Sequence, residues 1–302
     1  MKHETLSKQA DFSVGILFVV ISALGFSIKS ILVKLALSEN PNPILILALR
    51  MAFSLPFFFA GIYFQKEKLI FERTIYFQIL ILGILGYYFS SIFDFYGLEY
   101  VSAGLERIIL FTYPTIVVLL NFFIYRKPFN KKEIIALILT YGGILSIFVG
   151  GNFFIDRNKL FGGIWIFMAA VTYAGYLVGS GKLIPLIGAS LYTSLAMSIA
   201  AISVLVQYSV QFPVYQLFNQ SIKIYILSFS MAIFSTVIPV FLLSQGIKRI
   251  GSQKSAIISS LGPVSTLYLA NIFLGEIVSS SEIVGTIVLI SGVLLISTSN
   301  KE

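Results

Sequence analysis

The chain has 302 residues and a mass of 33.4 kDa; 57% of its residues are hydrophobic, only 11% are charged, and the mean hydropathy is +0.93 at a formal net charge of +8. A soluble domain is roughly one quarter charged, so a soluble monomer of this length is excluded. With no cysteine and a single histidine, His3 in the N-terminal tail, thiol catalysis, disulfides and any His/Cys metal site are excluded as well.

Long apolar runs separated by short polar breaks predict spans at 13–35, 44–64, 76–98, 103–125, 133–150, 161–181, 189–210, 223–246, 254–274 and 282–299, each end good to about 3 residues. Ten helices of ~20 residues are also about what this length can send across a ~30 Å hydrocarbon core. Open strands would leave backbone groups unsatisfied in lipid, so the expected fold is an all-α integral membrane domain. The first run exceeds the ~7–15 apolar residues of a cleaved signal, and no clear small-x-small site follows it. It is read as a span.

Basic residues set the orientation, because cationic loops stay on the cytoplasmic side. With the N-terminus inside, fourteen lysines and arginines fall in cytoplasmic segments, from Lys2 and Lys8 through Arg126, Lys127, Lys131 and Lys132 to Lys301. Lys34, Arg157, Lys159 and Lys223 fall outside, and three more cations lie within spans. The basic balance is therefore topological, and nucleic acid is not an expected partner. Both termini are expected in the cytoplasm.

The chain repeats. Shifted by 149, residues 97–147 land on 246–296, with Gly97, Pro114, Glu133 and Gly143 on Gly246, Pro263, Glu282 and Gly292. A shift of 148 pairs Gly15-Ile16 with Gly163-Ile164 and Lys34 with Lys182. Two five-span halves follow, 12–149 and 161–299. Five is odd, so the second half enters from the opposite face, the inverted arrangement of carriers that hold substrate near the midplane. Pro114 and Pro263 sit at equivalent mid-span positions and are expected to kink their helices, as hinges, as cavity-shaping elements or as packing alone.

Gly97-Leu98-Glu99-Tyr100-Val101-Ser102-Ala103, Leu110-Phe111-Thr112-Tyr113-Pro114-Thr115, Leu274-Gly275-Glu276, Ser281-Glu282-Ile283-Val284-Gly285 and Ser291-Gly292-Val293-Leu294 together resemble the EamA-type branch of the drug/metabolite transporter superfamily. The resemblance covers essentially the whole chain. It implies a ten-helix inner-membrane carrier built from two EamA repeats, moving amino acids, nucleotide-related metabolites, vitamins or toxic analogues by export or uptake. Gly275-Glu276 has no match in the first half, where Arg126-Lys127 stands instead, and no role is carried over there.

Charge inside a bilayer costs about 2.5–3.5 kcal/mol per group on insertion scales and needs a partner or a wet cavity. Lys29, Arg50, Asp94, Glu106 and Arg107 lie inside spans. At ~1.5 Å per residue they occupy one layer in the outer third of the first half. Asp94, Glu106 and Arg107 map onto Leu243, Ser255 and Ala256, and Lys29 onto Leu177, so the second half has no equivalent.

If all are ionised, three cations against two carboxylates give a layer of +1, which an arriving carboxylate or phosphate would complete. Arg50 or Lys29 is the expected receiver, with Asp94 or Glu106 balancing the empty site. A protonatable carboxylate there would couple transport to pH. Ion pairs between helices could instead only lock the bundle, and Glu106 and Arg107 could reach outward to headgroups.

Tyr87, Ser91 and Asp94 share one helical stripe, flanked by Tyr88 and Tyr96. Trp165, Thr172, Tyr173 and Tyr176 are expected across the cavity from it. Tyr88 and Tyr113 are the aromatic candidates for substrate contact, although most membrane aromatics pack or anchor. Ser22, Gly25 and Ser30, with Gly175, Gly179 and Gly181, are expected to let helices approach closely.

The expected function is a secondary transporter of a small anionic or zwitterionic metabolite, amino-acid-like or nucleotide-related. The alternatives are an exporter of cationic or amphipathic compounds and a passive facilitator or exchanger, though no selectivity-filter sequence is present. No P-loop pattern occurs, so no ATPase module is expected in this chain. An enzyme would need a nucleophile with a base or a metal pair, which the composition does not offer. No cofactor or metal is expected. The partners are a small-molecule substrate and the bilayer, a bacterial inner membrane by composition and helical spans; monomer and homodimer both stay open.

Overall fold

A computed structural model describes residues 2–39, 41–65, 72–125, 157–259 and 261–299, with parts of 131–143. No strand occurs among them. The helices are α1 (Lys2–Leu37), α2 (Pro43–Tyr63), α3 (Arg73–Tyr100), α4 (Ala103–Leu110), α5 (Tyr113–Tyr125), α6 (Arg157–Ile187), α7 (Ala189–Gln211), α8 (Ile222–Gly251), α9 (Leu261–Leu274) and α10 (Ser280–Ser299). Past a kink at Gly251, helical structure continues from α8 to Ile258.

Seven described helices are long and apolar enough to cross a membrane: Phe12–Leu37, Pro43–Tyr63, Arg73–Tyr100, Ala103–Leu120, Arg157–Ile187, Ala189–Gln211 and Ile222–Gly251. Leu261–Leu274 and Ser280–Gly292 are shorter apolar helices. The expected span 133–150 and the Arg126-Lys127 pair lie largely or wholly outside the described residues.

Helix starts follow local chemistry. Asn42 caps α2 by accepting from the Ile44 N–H at 2.8 Å, and Pro43 occupies the first turn, where its missing N–H costs nothing. Ser102 caps α4, accepting from Leu105 N–H at 3.1 Å. The expected kink at Pro114 is a two-residue interruption within the span Ala103–Leu120: α4 ends at Leu110 and α5 begins at Tyr113. A proline clashes with the carbonyl four residues back, here that of Leu110, and is tolerated in the first turn of a new helix. The same solution recurs in the second half, where helical structure stops at Ile258 and α9 restarts at Leu261, two residues before Pro263.

Among the described residues, the helices of the first half have counterparts in the second. A π-helical segment interrupts α3 at Ile84–Phe89 and α8 at Ile233–Val237, at starting positions 149 apart. Packing is exchanged between them: α1 lies against α8 and α9, whereas α6 lies against α3 and α5, and α2 meets α7. The matched glycines of the repeat sit at these crossings. A Cβ on Gly97 would lie 3.0 Å from the Gly162 carbonyl oxygen, and one on Gly246 would lie 3.3 Å from that of Gly15. Gly25 is similarly close to Pro239 and Gly179 to Leu82, but Gly175 and Gly181 approach nothing. Close packing replaces hydrophobic driving force between helices in lipid.

The bundle turns apolar side chains outward and buries polar ones within an otherwise apolar core. On α1, Leu17, Ile21, Leu24 and Ile28 form an exposed stripe, while Ser22, Ser27, Lys29 and Ser30 on the other face are buried. Such an arrangement suits a lipid solvent, with buried hydroxyls satisfied by neighbouring carbonyls: Ser22 donates to Pro239 O at 2.8 Å and Ser90 to Ala169 O at 3.1 Å.

Candidate functional site

Three helices converge on one ion-pair cluster. Lys29 of α1 donates to Asp94 Oδ2 of α3 at 2.5 Å and to Glu106 Oε1 of α4 at 3.2 Å. Ser30 donates to the other Glu106 oxygen at 2.5 Å. Glu106 is fully buried, and Lys29 and Asp94 are nearly so. The ammonium thus joins two carboxylates, and each carboxylate lessens the desolvation cost of that charge only while the cluster is intact.

The arginines are held differently. Arg50 of α2 donates through Nε to Thr236 Oγ1 at 2.7 Å, and its guanidinium lies 5.4 Å from the centroid of Phe95. Thr236 sits in the second π-helical segment and its hydroxyl donates to Met231 O at 2.9 Å. Arg107 of α4 lies against Gly262 of α9, where a Cβ would come within 2.6 Å of the guanidinium. Neither arginine has a carboxylate within ion-pair distance among the described residues. Arg50 Nη1, Arg107 Nε and Asp94 Oδ1 are all buried without a hydrogen-bond partner there.

Lys29, Arg50, Asp94 and Arg107, with Tyr87, Tyr113 and Tyr173, wall a cavity whose empty volume, open mouth included, is ≈ 680 Å³. Ser90, Ser91 and Ser259 add hydroxyls, and Ala23, Phe26, Gly86, Leu110 and Leu243 complete the lining. Both halves contribute, in matched pairs: Asp94 with Leu243 and Leu110 with Ser259 lie 149 residues apart.

Of the residues singled out from sequence, Lys29, Arg50, Asp94, Arg107 and Tyr113 line the cavity, and Glu106 backs it through Lys29. Tyr88 does not join them. It lies one residue, and so about 100° of helix, past Tyr87, and packs among core side chains with its ring 4.9 Å from Phe89. An outward reach to headgroups is overturned for Glu106 and Arg107, which α9 packs over and which are 0% and 8% exposed.

Across the cavity only Tyr173 of the expected group reaches the lining. Tyr176 lies behind it, stacked with Tyr192, and Trp165 packs with Phe93 and Tyr96. Thr172 bonds back to its own helix. Pro114 and Pro263 are buried at the two helix breaks.

The sequence reading missed Thr236, took Ser30 only as a helix-packing residue and gave Glu276 no role. Thr236 is 149 residues beyond Tyr87, so the repeat itself would have pointed to it. Glu276 accepts from the N–H groups of Ala103 (3.0 Å) and Gly104 (3.3 Å), closing the end of α9 onto the start of α4. Gly275, at φ +65°, supplies the left-handed turn that sends Glu276 there. The Gly-Glu pair therefore caps a helix of the other half.

The EamA-like transporter family model matches residues 13–149 and 160–298, nearly the whole chain in two copies. The chain belongs to the EamA-like transporter family. This EamA-like transporter is 28% identical over 292 residues to the Bacillus subtilis (strain 168) protein named Uncharacterized transporter YcbK, a match spanning 94% of this chain and 93% of the relative. It is 27% identical over 220 residues to Uncharacterized transporter YyaM of the same organism, spanning 72% of each. One solved crystal structure is similar at a TM-score of 0.65 over 95% of this chain and 97% of its own, at 14% identity, a likeness of fold alone. The two EamA copies coincide with the structural duplication described above, and the molecule is a multi-pass membrane protein of two repeats.

Proposed function

We propose that this EamA-like transporter is a secondary carrier that moves a small anionic or zwitterionic metabolite by alternating access, holding it in the cavity between the halves. The observation that carries this reading is the cavity itself. Both repeats build its wall, yet all its charged side chains come from the first. A duplicated scaffold supplies two gates, and the charged wall supplies the recognition.

Lys29, Arg50, Asp94, Arg107 and Tyr113 are the proposed substrate-contacting residues, with Glu106 setting the charge of the wall and Pro114 and Pro263 the proposed hinge or cavity-shaping positions. The halves are taken as 12–149 and 161–299, inverted because each holds five spans, an odd number, with both termini cytoplasmic in a bacterial inner membrane. Engagement of both carboxylates by Lys29 favours an anionic over a cationic cargo.

The test is thermal unfolding of the detergent-purified protein with amino acids, carboxylates, nucleotide-related compounds and cationic drugs. A compound that binds only the folded form raises the melting temperature. A rise with an anionic or zwitterionic compound, lost in Arg50→Ala, is the expected result. A rise with cationic drugs kept in Arg50→Ala would instead favour an exporter of cationic or amphipathic compounds, a reading that draws on the tyrosines of the wall.

A further inference from the structure

The +1 of the charged layer is unevenly divided. Counted with every group ionised, Lys29, Asp94 and Glu106 form a cluster of formal charge −1, and Arg50 and Arg107, without a carboxylate at ion-pair distance among the described residues, add +2. Three atoms in this layer lack partners among the described residues: Arg50 Nη1, Arg107 Nε and Asp94 Oδ1. Two are donors on cations and one is an acceptor on a carboxylate. Each belongs to a residue at least nine-tenths buried, and each of those residues lines the same cavity. A buried polar group without a partner is costly, so together they describe the ligand that would complete them.

We propose that the cavity selects a monoanion that also carries a neutral hydrogen-bond donor, its anionic group taken by Arg50 and Arg107 and its donor by Asp94 Oδ1. The inference rests on the carrier reading above and narrows its substrate class. A monoanion brings the layer to zero. A zwitterion leaves it at +1, a dianion at −1 and a cation at +2, and each residual charge must be sustained at membrane depth. A monoanion without a donor leaves Asp94 Oδ1 unpaired. Hydroxy acids are the simplest compounds with both features. Thr236 has a positioning part in this site: by accepting from Nε it leaves the Arg50 Nη groups for the ligand.

The experiment uses the full chain in lipid nanodiscs, with calorimetric titration of two matched series. The small series is propionate, lactate, alanine, methylmalonate and ethylamine. The aromatic series, chosen for the tyrosine wall, is 3-phenylpropionate, 3-phenyllactate, phenylalanine, benzylmalonate and phenethylamine. Lactate or phenyllactate is expected to bind tightest in its series, about tenfold tighter than its donor-free analogue, as one hydrogen bond to a charged group provides. Arg50→Gln and Arg107→Gln are each expected to weaken that binding at least tenfold. Should a Gln variant fail to fold, Arg50→Lys and Arg107→Lys keep the charge, lose the planar fork, and are expected to weaken binding by a smaller factor.

Tighter binding of the zwitterion, dianion or cation overturns the proposal, as does equal binding of the donor-free acid or no hydroxy-acid binding by the folded protein in either series. Counterflow of the tightest ligand in proteoliposomes separates the two readings. A cation that binds best and exchanges removes the monoanion and keeps a carrier. A hydroxy acid that binds best but never exchanges keeps the site and removes the carrier.

Discussion

The two halves share a scaffold and differ in the chemistry mounted on it. Asp94 lines the cavity from α3, and its counterpart Leu243 lines it from α8. Tyr87 of the first π-helical segment walls the cavity, and Thr236, the same position in the second, holds Arg50. Glu106 is the anchor of a buried ion cluster, and Ser255 merely bonds back to Gly251 O at 2.8 Å. Duplication thus supplied matched positions, and only one copy turned them into charge. Symmetry belongs to the packing and asymmetry to the charged wall of the cavity.

Substitutions at matched positions can break that comparison. The largest effect is expected at Glu106→Ala, which strands the buried Lys29 beside Asp94 alone and removes the Ser30 acceptor, at about 3–5 kcal/mol. Ser255→Ala at the equivalent site should cost about 1 kcal/mol or less. Equal losses in denaturation of the two purified variants would mean the charged cluster is not what distinguishes the halves.

Thr236→Val comes next. It removes the Arg50 acceptor at nearly constant shape and should weaken ligand binding by about tenfold, as for one hydrogen bond to a charged group, while Thr236→Ser restores it. If valine and serine behave alike in titration, Arg50 is held by packing on Phe95 instead.

Scaffold positions should behave alike in both halves. Gly97→Ala and Gly246→Ala each push a methyl into a helix crossing, against Ile166 and Val19 respectively, and should each cost about 1–3 kcal/mol. A melting temperature lowered by only one of them would show that packing, too, has diverged.

The smallest expected effect is Glu276→Ala. Loss of the cap on Ala103 and Gly104 should cost about 0.5–2 kcal/mol, with Glu276→Gln costing less. An unchanged melting temperature in Glu276→Ala would remove the cap as a link between the halves.

Much of this molecule was legible as sequence. Apolar runs marked the spans because lipid cannot hydrogen-bond a backbone, a requirement that acts on each segment separately. The 149-residue shift exposed the repeat, and charges within apolar runs marked Lys29, Arg50, Asp94, Glu106 and Arg107 as belonging to one layer. Pro114 and Pro263 announced interruptions, although not that the chain would break and restart its helix.

Tertiary structure decided who meets whom. Lys29 reaches partners 65 and 77 residues away and leaves both arginines without a carboxylate, a choice that depends on the rotation and depth of three separate helices. Tyr87 rather than Tyr88 faces the cavity for the same reason, since one residue turns a side chain about 100°. Glu276 finds the start of α4 only because α9 packs there. Hydropathy and periodicity are properties of one segment at a time; ion-pair choice, capping across halves and the shape of a cavity are set by the relative placement of segments distant in the chain.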